Sequence, residues 1–300
     1  MTLRISIVIP TFNRPTLARR AVASALTACP PDGEVIVVDD RSDTAIDALQ
    51  RFADDPRLRI MTNTGPKGAA GARNFGVAAA TGDLILFLDD DDVLVADYPD
   101  RVINAAQISS ASYGFSSSSV VSSTDVEGET TAATLPAQLR KGLIGANVRL
   151  DAIVRGFCFG FWVRRKVFFD IGQIDTDLVV DEDGDFHIRL YGEDHKGWFD
   201  EFPGCIVTKG YKIATGNAPQ LTQSTDPTLE AECRARTFRK NQNYFAIRSP
   251  DRWFLIRRTL RFSARAGVET VPRDILRDLQ PLTWRLKGWL FWRIKKLGRR

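Results

Sequence analysis

The sequence predicts an α/β fold, a mostly parallel sheet with helices on both faces. Three observations carry that expectation. The runs ISIVIP (5–10), EVIVVDD (34–40), LRIMTN (58–63) and DLILFL (83–88) are short and rich in apolar and β-branched residues, as strands buried on both faces must be. Helical patterns at 16–28 and 70–80 separate them, the alternation that gives parallel strands joined by crossovers. The runs are followed by polar or acidic segments, TFNR (11–14), DDRSD (39–43) and DDDD (89–92), and ligands of open parallel sheets bind beyond the carboxyl ends of the strands.

Further along, Tyr98–Ile108 has a helical pattern. Residues 109–123 hold nine serines interleaved with Tyr113, Phe115, Val120 and Val121, which predicts a strand pair, with a flexible loop as the alternative. A loop is expected over 125–136 and a helix over 137–154. FCFGFWVRRKVF (157–168) predicts an aromatic-rich strand running into a helix, and VDEDGDFHIRL (180–190) an acidic pair opening another. Loops within 109–136 and 200–230 are expected to set ligand specificity, and helices to follow.

Composition narrows the class. A chain of 300 residues, 44% hydrophobic and 26% charged, accommodates one large α/β domain plus an extension. Cys29, Cys158, Cys205 and Cys233 are far apart, and His187 and His195 are the only histidines. No zinc cluster or disulfide framework is expected, which suits a reducing compartment. The opening Met-Thr-Leu-Arg runs straight into a short apolar strand, so neither a secretory leader nor a span is expected there, and the predicted location is cytoplasmic. Residues 251–300 contain 14 Lys/Arg against 4 Asp/Glu, whereas the rest of the chain is acidic.

Four consecutive aspartates need relief from their own repulsion. Two carboxylates about 4 Å apart repel by roughly 4 kcal/mol at an effective dielectric near 20, so solvent, protonation or a cation must intervene. A solvated turn is one reading; a cation site at the rim is the other. Nicotinamide chemistry is disfavoured because the first turn, PTFNRPT, has no glycine, and ATP hydrolysis because GPKGAAG (65–71) lacks the Gly-Lys-Ser/Thr of a phosphate loop.

The blocks SIVIPTFNR, EVIVVDDRS, GAAGARNFGVAAATGDLILFLDDDD and EDGDFHIRL, in this order, resemble the inverting family 2 glycosyltransferases of the GT-A fold. The resemblance covers residues 4–200. It implies a Rossmann-like GT-A domain that transfers a sugar from a nucleoside diphosphate, with a UDP-sugar favoured, to a glycan or lipid-linked acceptor. Mg²⁺ or Mn²⁺ is implied as the cofactor. By the same resemblance, Asp91 with Asp89 ligates the metal, Asp89 or Asp90 meets the ribose or metal waters, and Asp92 caps the next helix. Asp40 bonds the nucleobase beside a structural Asp39, and Pro10, Thr11, Phe12 and Asn13 flank base and ribose, with Phe12 also readable as core.

Arg73 and Asn74 match the family's Arg-Asn pair. Arg73 is expected to orient Asp40 or approach the base or phosphates, with a helix-surface ion pair as the alternative. Asp183, with Glu182 as neighbour, matches the acceptor base, ahead of a helix whose Arg189 faces the sugar. Glu193 and Asp194 are read as a solvated turn and His187 as a packed or exposed helix histidine rather than a catalyst. Competing functions are a metal-dependent nucleotidyltransferase, which would need a Gly-rich first turn, and a catalytically silent nucleotide-sugar-binding subunit.

The predicted organisation is a nucleotide-sugar half (1–108), an acceptor half (109–225) and a helical basic extension (226–300). On a helix, Leu282, Leu286, Trp289, Leu290, Ile294 and Leu297 share one side, with Arg285, Arg293, Lys296 and Arg300 toward others. That pattern fits an anionic membrane surface, hence peripheral attachment at the cytoplasmic face, or packing on the domain or a partner. No nucleic-acid module accompanies the charge, so nucleic acid is not an expected partner.

Overall fold

The computed structural model describes residues 3–43, 47–122, 131–132, 138–145, 147–154, 160–209 and 225–298. The N-terminal half alternates strand and helix as expected: β1 (Ile5–Thr11), α1 (Pro15–Ala28), β2 (Glu34–Asp39), β3 (Leu58–Thr62), α2 (Ala69–Ala79) and β4 (Leu84–Phe87). It continues with β5 (Val93–Leu94), α3 (Tyr98–Ile108), β6 (Tyr113–Ser122), β7 (Thr131–Ala132), β8 (Gly142–Leu143), α4 (Leu150–Ile153), β9 (Trp162–Arg164), α5 (Arg165–Asp170), α6 (Glu182–Gly192) and β10 (Gly197–Lys209). Four helices follow: α7 (Pro227–Asn241), α8 (Pro250–Ala266), α9 (Thr270–Asp278) and α10 (Leu282–Leu297).

One sheet runs β3-β2-β1-β4-β9-β6-β10-β5. The first four strands are parallel, but β9 is antiparallel to both β4 and β6, so the sheet is mixed beyond β4. The chain moves outward from β1 to β3 and returns to β4 on the other side of β1, a reversal of the kind that opens a crevice at strand ends. Pro10 helps open it. Leu88 N donates to Val8 O and Asp40 N to Thr11 O, so alternate residues of β1 face opposite neighbours, and Pro10 faces β4 beyond the last pair, Val8 with Phe87. Its missing N–H therefore leaves no ladder bond unmade.

Strand alternation divides the core. Val8, Ile36, Val38, Ile85 and Phe87 lie on one face, whereas Ile7, Ile9, Val35, Val37, Leu84 and Leu86 lie on the other. The second face takes α1 and α3; the first takes α2 and α6, together with Ala235, Phe238, Leu255, Leu260, Ile275 and Trp292 from the four last helices. The expected basic extension thus contributes side chains to the core of the α/β domain, each buried Leu, Ile or Phe being worth about 1.5–3 kcal/mol.

Three local expectations are corrected. The serine-rich stretch forms one long strand whose partners are β7, β9 and β10, not a pair within 109–123. The helix expected over 137–154 survives only at Leu150–Ile153, because Gly142 and Leu143 pair with β10. Part of the region read as loop, from 200, belongs to β10, whose register shifts around Pro203 interrupt the strand pattern. Cys29, Cys205 and Cys233 are free and buried; Cys158 and most of the expected acceptor loops fall outside the described residues.

Candidate active site

Just beyond β4 the chain turns sharply, with Asp92 N donating to Asp89 O at 3.1 Å. The turn converges Asp89, Asp91 and Asp92, which each offer a carboxylate oxygen within 4.8 Å of the others. An all-oxygen set of this kind fits a hard divalent cation. Asp92 is therefore part of the cluster rather than a helix cap: α3 starts six residues later, behind Asp97, and Asp92 accepts from Thr208 N of β10 at 3.1 Å. Burial and the charges of Asp89 and Asp91 push its carboxyl well up.

Asp90 points elsewhere. It accepts from Thr11 Oγ1 at 2.8 Å and pairs with Arg14 at 3.0 Å, and burial pushes it up to about 7 against the pull of Arg14. Its carboxylate, expected to meet ribose or metal waters, is thus held by Thr11 and Arg14. Arg14 also lies 3.4 Å from Asp91, and Arg20 ties the Asp91 carbonyl to Thr208. These two arginines of α1's start and first turns brace the acidic turn.

The first two strand ends are laced together. Asn13, at φ 54°, donates its N–H to Ser42 Oγ (2.8 Å) and exchanges side-chain bonds with Asp43; Ser42 in turn donates to Asp39. Asp40 accepts from Asn63 Nδ2 at 2.6 Å and from Gly68 N at 2.7 Å. It thereby shapes the 65–68 loop, where Gly68 at φ 111° takes a backbone conformation open to glycine. Phe12 is half-buried with Lys67 Nζ 4.5 Å from its ring centroid.

Arg73 does not orient Asp40. Its buried guanidinium donates to Asp89 at 2.7 Å and to Glu182 at 3.0 Å, joining the rim cluster to the first residue of α6. Asn74 exchanges bonds with the backbone of Ile174, fixing the approach to that helix.

Helix α6 opens with Glu182, Asp183 and Asp185 in its first turn, where the helix dipole favours negative charge. Glu182 is buried against Arg73, whereas Asp183 is half-buried and accepts from Gly184 N at 2.6 Å. Burial and the neighbouring Asp181 raise the Asp183 carboxyl, opposed by Arg258. Asp181, at φ 72°, has a side chain that is 0% exposed and is gripped by Arg234 of α7 at 2.8 Å and by Arg258 of α8. A Cβ on Gly184 would lie 2.5 Å from the Asp181 carboxylate and 2.9 Å from Arg258, so the grip requires glycine there.

Asp185 is bound by Arg189 (2.9 Å), Lys240 (2.9 Å) and Asn241 (2.6 Å). Arg189 also donates to the carbonyls of Ile171 and Gln173. Its expected sugar-facing role is corrected to a structural one. His187 is fully buried beside Phe161, Tyr113 and Phe115, and burial lowers it to about 3, so it is neutral packing. Arg14, Arg234 and Arg258 escaped the sequence reading; only Arg14, within TFNR, had a local signal.

The profile described as "Glycosyl transferase family 2" matches residues 6–172. The succinoglycan biosynthesis protein ExoO of Rhizobium meliloti is 34% identical over 148 residues, 48% of this chain and 42% of that protein. The UDP-Glc:alpha-D-GlcNAc-diphosphoundecaprenol beta-1,3-glucosyltransferase WfgD of Escherichia coli is 30% identical over 126 residues, 42% of this chain and 49% of its own. The matched stretch thus spans under half of each of these two relatives. The crystal structure of S. aureus TarS with UDP-GlcNAc superposes with a TM-score of 0.67 at 15% identity, covering 99% of this chain and 89% of that one, and shares the GT-A fold.

Proposed function

We propose a function from one premise: the chain belongs to glycosyl transferase family 2. In this reading it is an inverting enzyme that moves a sugar from a UDP-sugar to a hydroxyl of a lipid-linked or polysaccharide acceptor. The observation that carries it is Arg73, whose single guanidinium ties the rim carboxylate Asp89 to Glu182, next to Asp183. The donor is supported by the UDP-Glc of WfgD's description and by the UDP and UDP-GlcNAc complexes of TarS. The acceptor class is supported by WfgD's diphosphoundecaprenol substrate and by ExoO's part in succinoglycan biosynthesis.

The residues divide the work. Pro10, Thr11, Phe12 and Asn13 flank base and ribose, and Asp40 keeps acceptor capacity for a base N–H beyond its two internal bonds. Asp89, Asp91 and Asp92 would hold Mg²⁺ or Mn²⁺, and such an ion, when bound, offsets charge on the departing diphosphate. Asp183 is the base, because Glu182 is committed to Arg73 while Asp183 is half-buried and raised by its surroundings. It takes the acceptor proton as the hydroxyl oxygen bonds to the anomeric carbon. The bond from that carbon to the diphosphate oxygen breaks in the same displacement, UDP leaves with the electron pair, and configuration inverts. A lipid-linked acceptor sets the reaction at a membrane surface.

Calorimetry with UDP in Mn²⁺, Mg²⁺ or EDTA, coupled to NMR of the product's anomeric configuration, tests this reading. UDP binding that needs the cation, with inversion, supports it. Absence of UDP binding under every condition, or retention of configuration, rejects it.

A further inference from the structure

Helix α10 leaves six large apolar side chains in solvent: Leu282, Leu286, Trp289, Leu290, Ile294 and Leu297, each 45–66% exposed. Elsewhere among the described residues such side chains are scattered, and isolated ones need no explanation. At 3.6 residues per turn these six fall within an arc of about 140°. The helix cannot roll to bury them, because its opposite face is already committed. Trp284 packs edge-on against Trp253 at 5.2 Å, Trp292 is buried, and a Cβ on Gly288 would lie 2.6 Å from Leu276.

The charges say what covers this face. From Leu279 to Arg300 the chain has seven Lys/Arg and no Asp/Glu. Lys287 flanks the arc on one side and Arg285 and Lys296 on the other, Lys296 meeting Glu269 at the start of α9; Arg293 lies within the arc over Trp289. An apolar strip edged by cations matches an anionic bilayer, with acyl chains taking the Leu and Ile residues and headgroups the Lys and Arg. No described helix is long and apolar enough to cross a membrane, so this contact lies in the interface plane.

We infer that the outward face of α10 is the surface by which the protein sits on an anionic lipid bilayer. The inference rests on the membrane-side reading of the acceptor given above and names the residues responsible. The chain of contacts runs from α10 through Trp253 of α8 to Arg258 on the same helix and so to Asp181, two residues from Asp183. Docking α10 therefore fixes the acceptor wall of the site relative to the lipid.

Co-sedimentation of the full chain with phosphatidylcholine vesicles, with and without phosphatidylglycerol, tests it. Binding to the anionic vesicles is expected, weakening as salt is raised, and falling roughly tenfold or more in Leu286→Glu/Leu290→Glu. Quenching of Trp emission by brominated acyl chains should drop in Trp289→Phe, a mild change that leaves the fold intact. The inference is overturned if the wild type ignores anionic vesicles, if the double variant binds them as well as wild type, or if that variant instead turns a dimer into a monomer, making a second copy the occupant. UDP calorimetry on the same samples keeps the readings apart: lost UDP binding with intact vesicle binding rejects the donor site alone.

Discussion

The rim of the sheet and the start of α6 both bury carboxylates, and they neutralise them from different parts of the chain. At the rim, Asp39, Asp40 and Asp90 are answered within the first 70 residues, by Ser42, by Asn63 and Gly68, and by Thr11 and Arg14. At α6, Asp181 and Asp185 are answered by Arg234, Lys240, Asn241 and Arg258, side chains of the C-terminal helices. Part of the basic excess beyond the acceptor half thus serves as counter-charge for the wall that carries the candidate base. Apart from Thr208, which holds Asp92, the rim is answered locally, whereas the wall at α6, beyond its own Arg189, is held from the C-terminal helices. Arg73 alone bridges Asp89 and Glu182 across the two.

Breaking each side should give distinct signatures. The largest effect is expected from Asp183→Asn, which should lower turnover by about 10²–10⁴ while UDP affinity stays within a few-fold; a parallel loss of both would make Asp183 part of the donor rim instead. Arg258→Met leaves the fully buried Asp181 with Arg234 as its remaining partner. It should cost about 3 kcal/mol of unfolding free energy in urea titrations, whereas Asp43→Ala at the exposed end of the rim should cost under about 1 kcal/mol. Equal costs would erase the contrast between a locally answered rim and a clamped wall.

Asp91→Ala should weaken cation-dependent UDP binding by about 1.5–3 kcal/mol in calorimetry, and in EDTA the variant and wild type should bind alike. The last signature is a pH slope. Asp90 is raised from 3.8 to about 7 by burial, so the folded chain holds a proton that the unfolded chain has released. Its contribution to stability is fully present below about pH 4 and is lost as pH rises through about 7. The melting temperature of wild type minus that of Asp90→Asn, without added cation, should therefore fall across that window; a rising difference would mean that Arg14 keeps Asp90 ionised.

Much of the donor side was legible because parallel strands announce themselves locally. Their apolar runs need burial on both faces, their ends must carry the polar groups, and Pro10, Asp40, Asp89 and Asp91 lie there. The side-chain directions were less legible. Neighbouring aspartates in one turn diverge, so that Asp90 meets Thr11 while Asp92 joins Asp89 and Asp91. Arg189 turned inward because Asp185 on the same helix is sealed beneath α7.

The residues by themselves determined the α/β order of elements, the acidic strand ends and the two-sided character of α10, since each follows from spacing within a few turns or strands. Only the tertiary structure decided which carboxylates converge, which cations hold α6, and which side of α10 stays in water. Those outcomes depend on groups such as Asp181 and Arg258, 77 positions apart, and on Trp253 meeting Trp284. No local periodicity encodes such pairs, because burial of a charge or an apolar face is settled by whatever the folded chain brings against it.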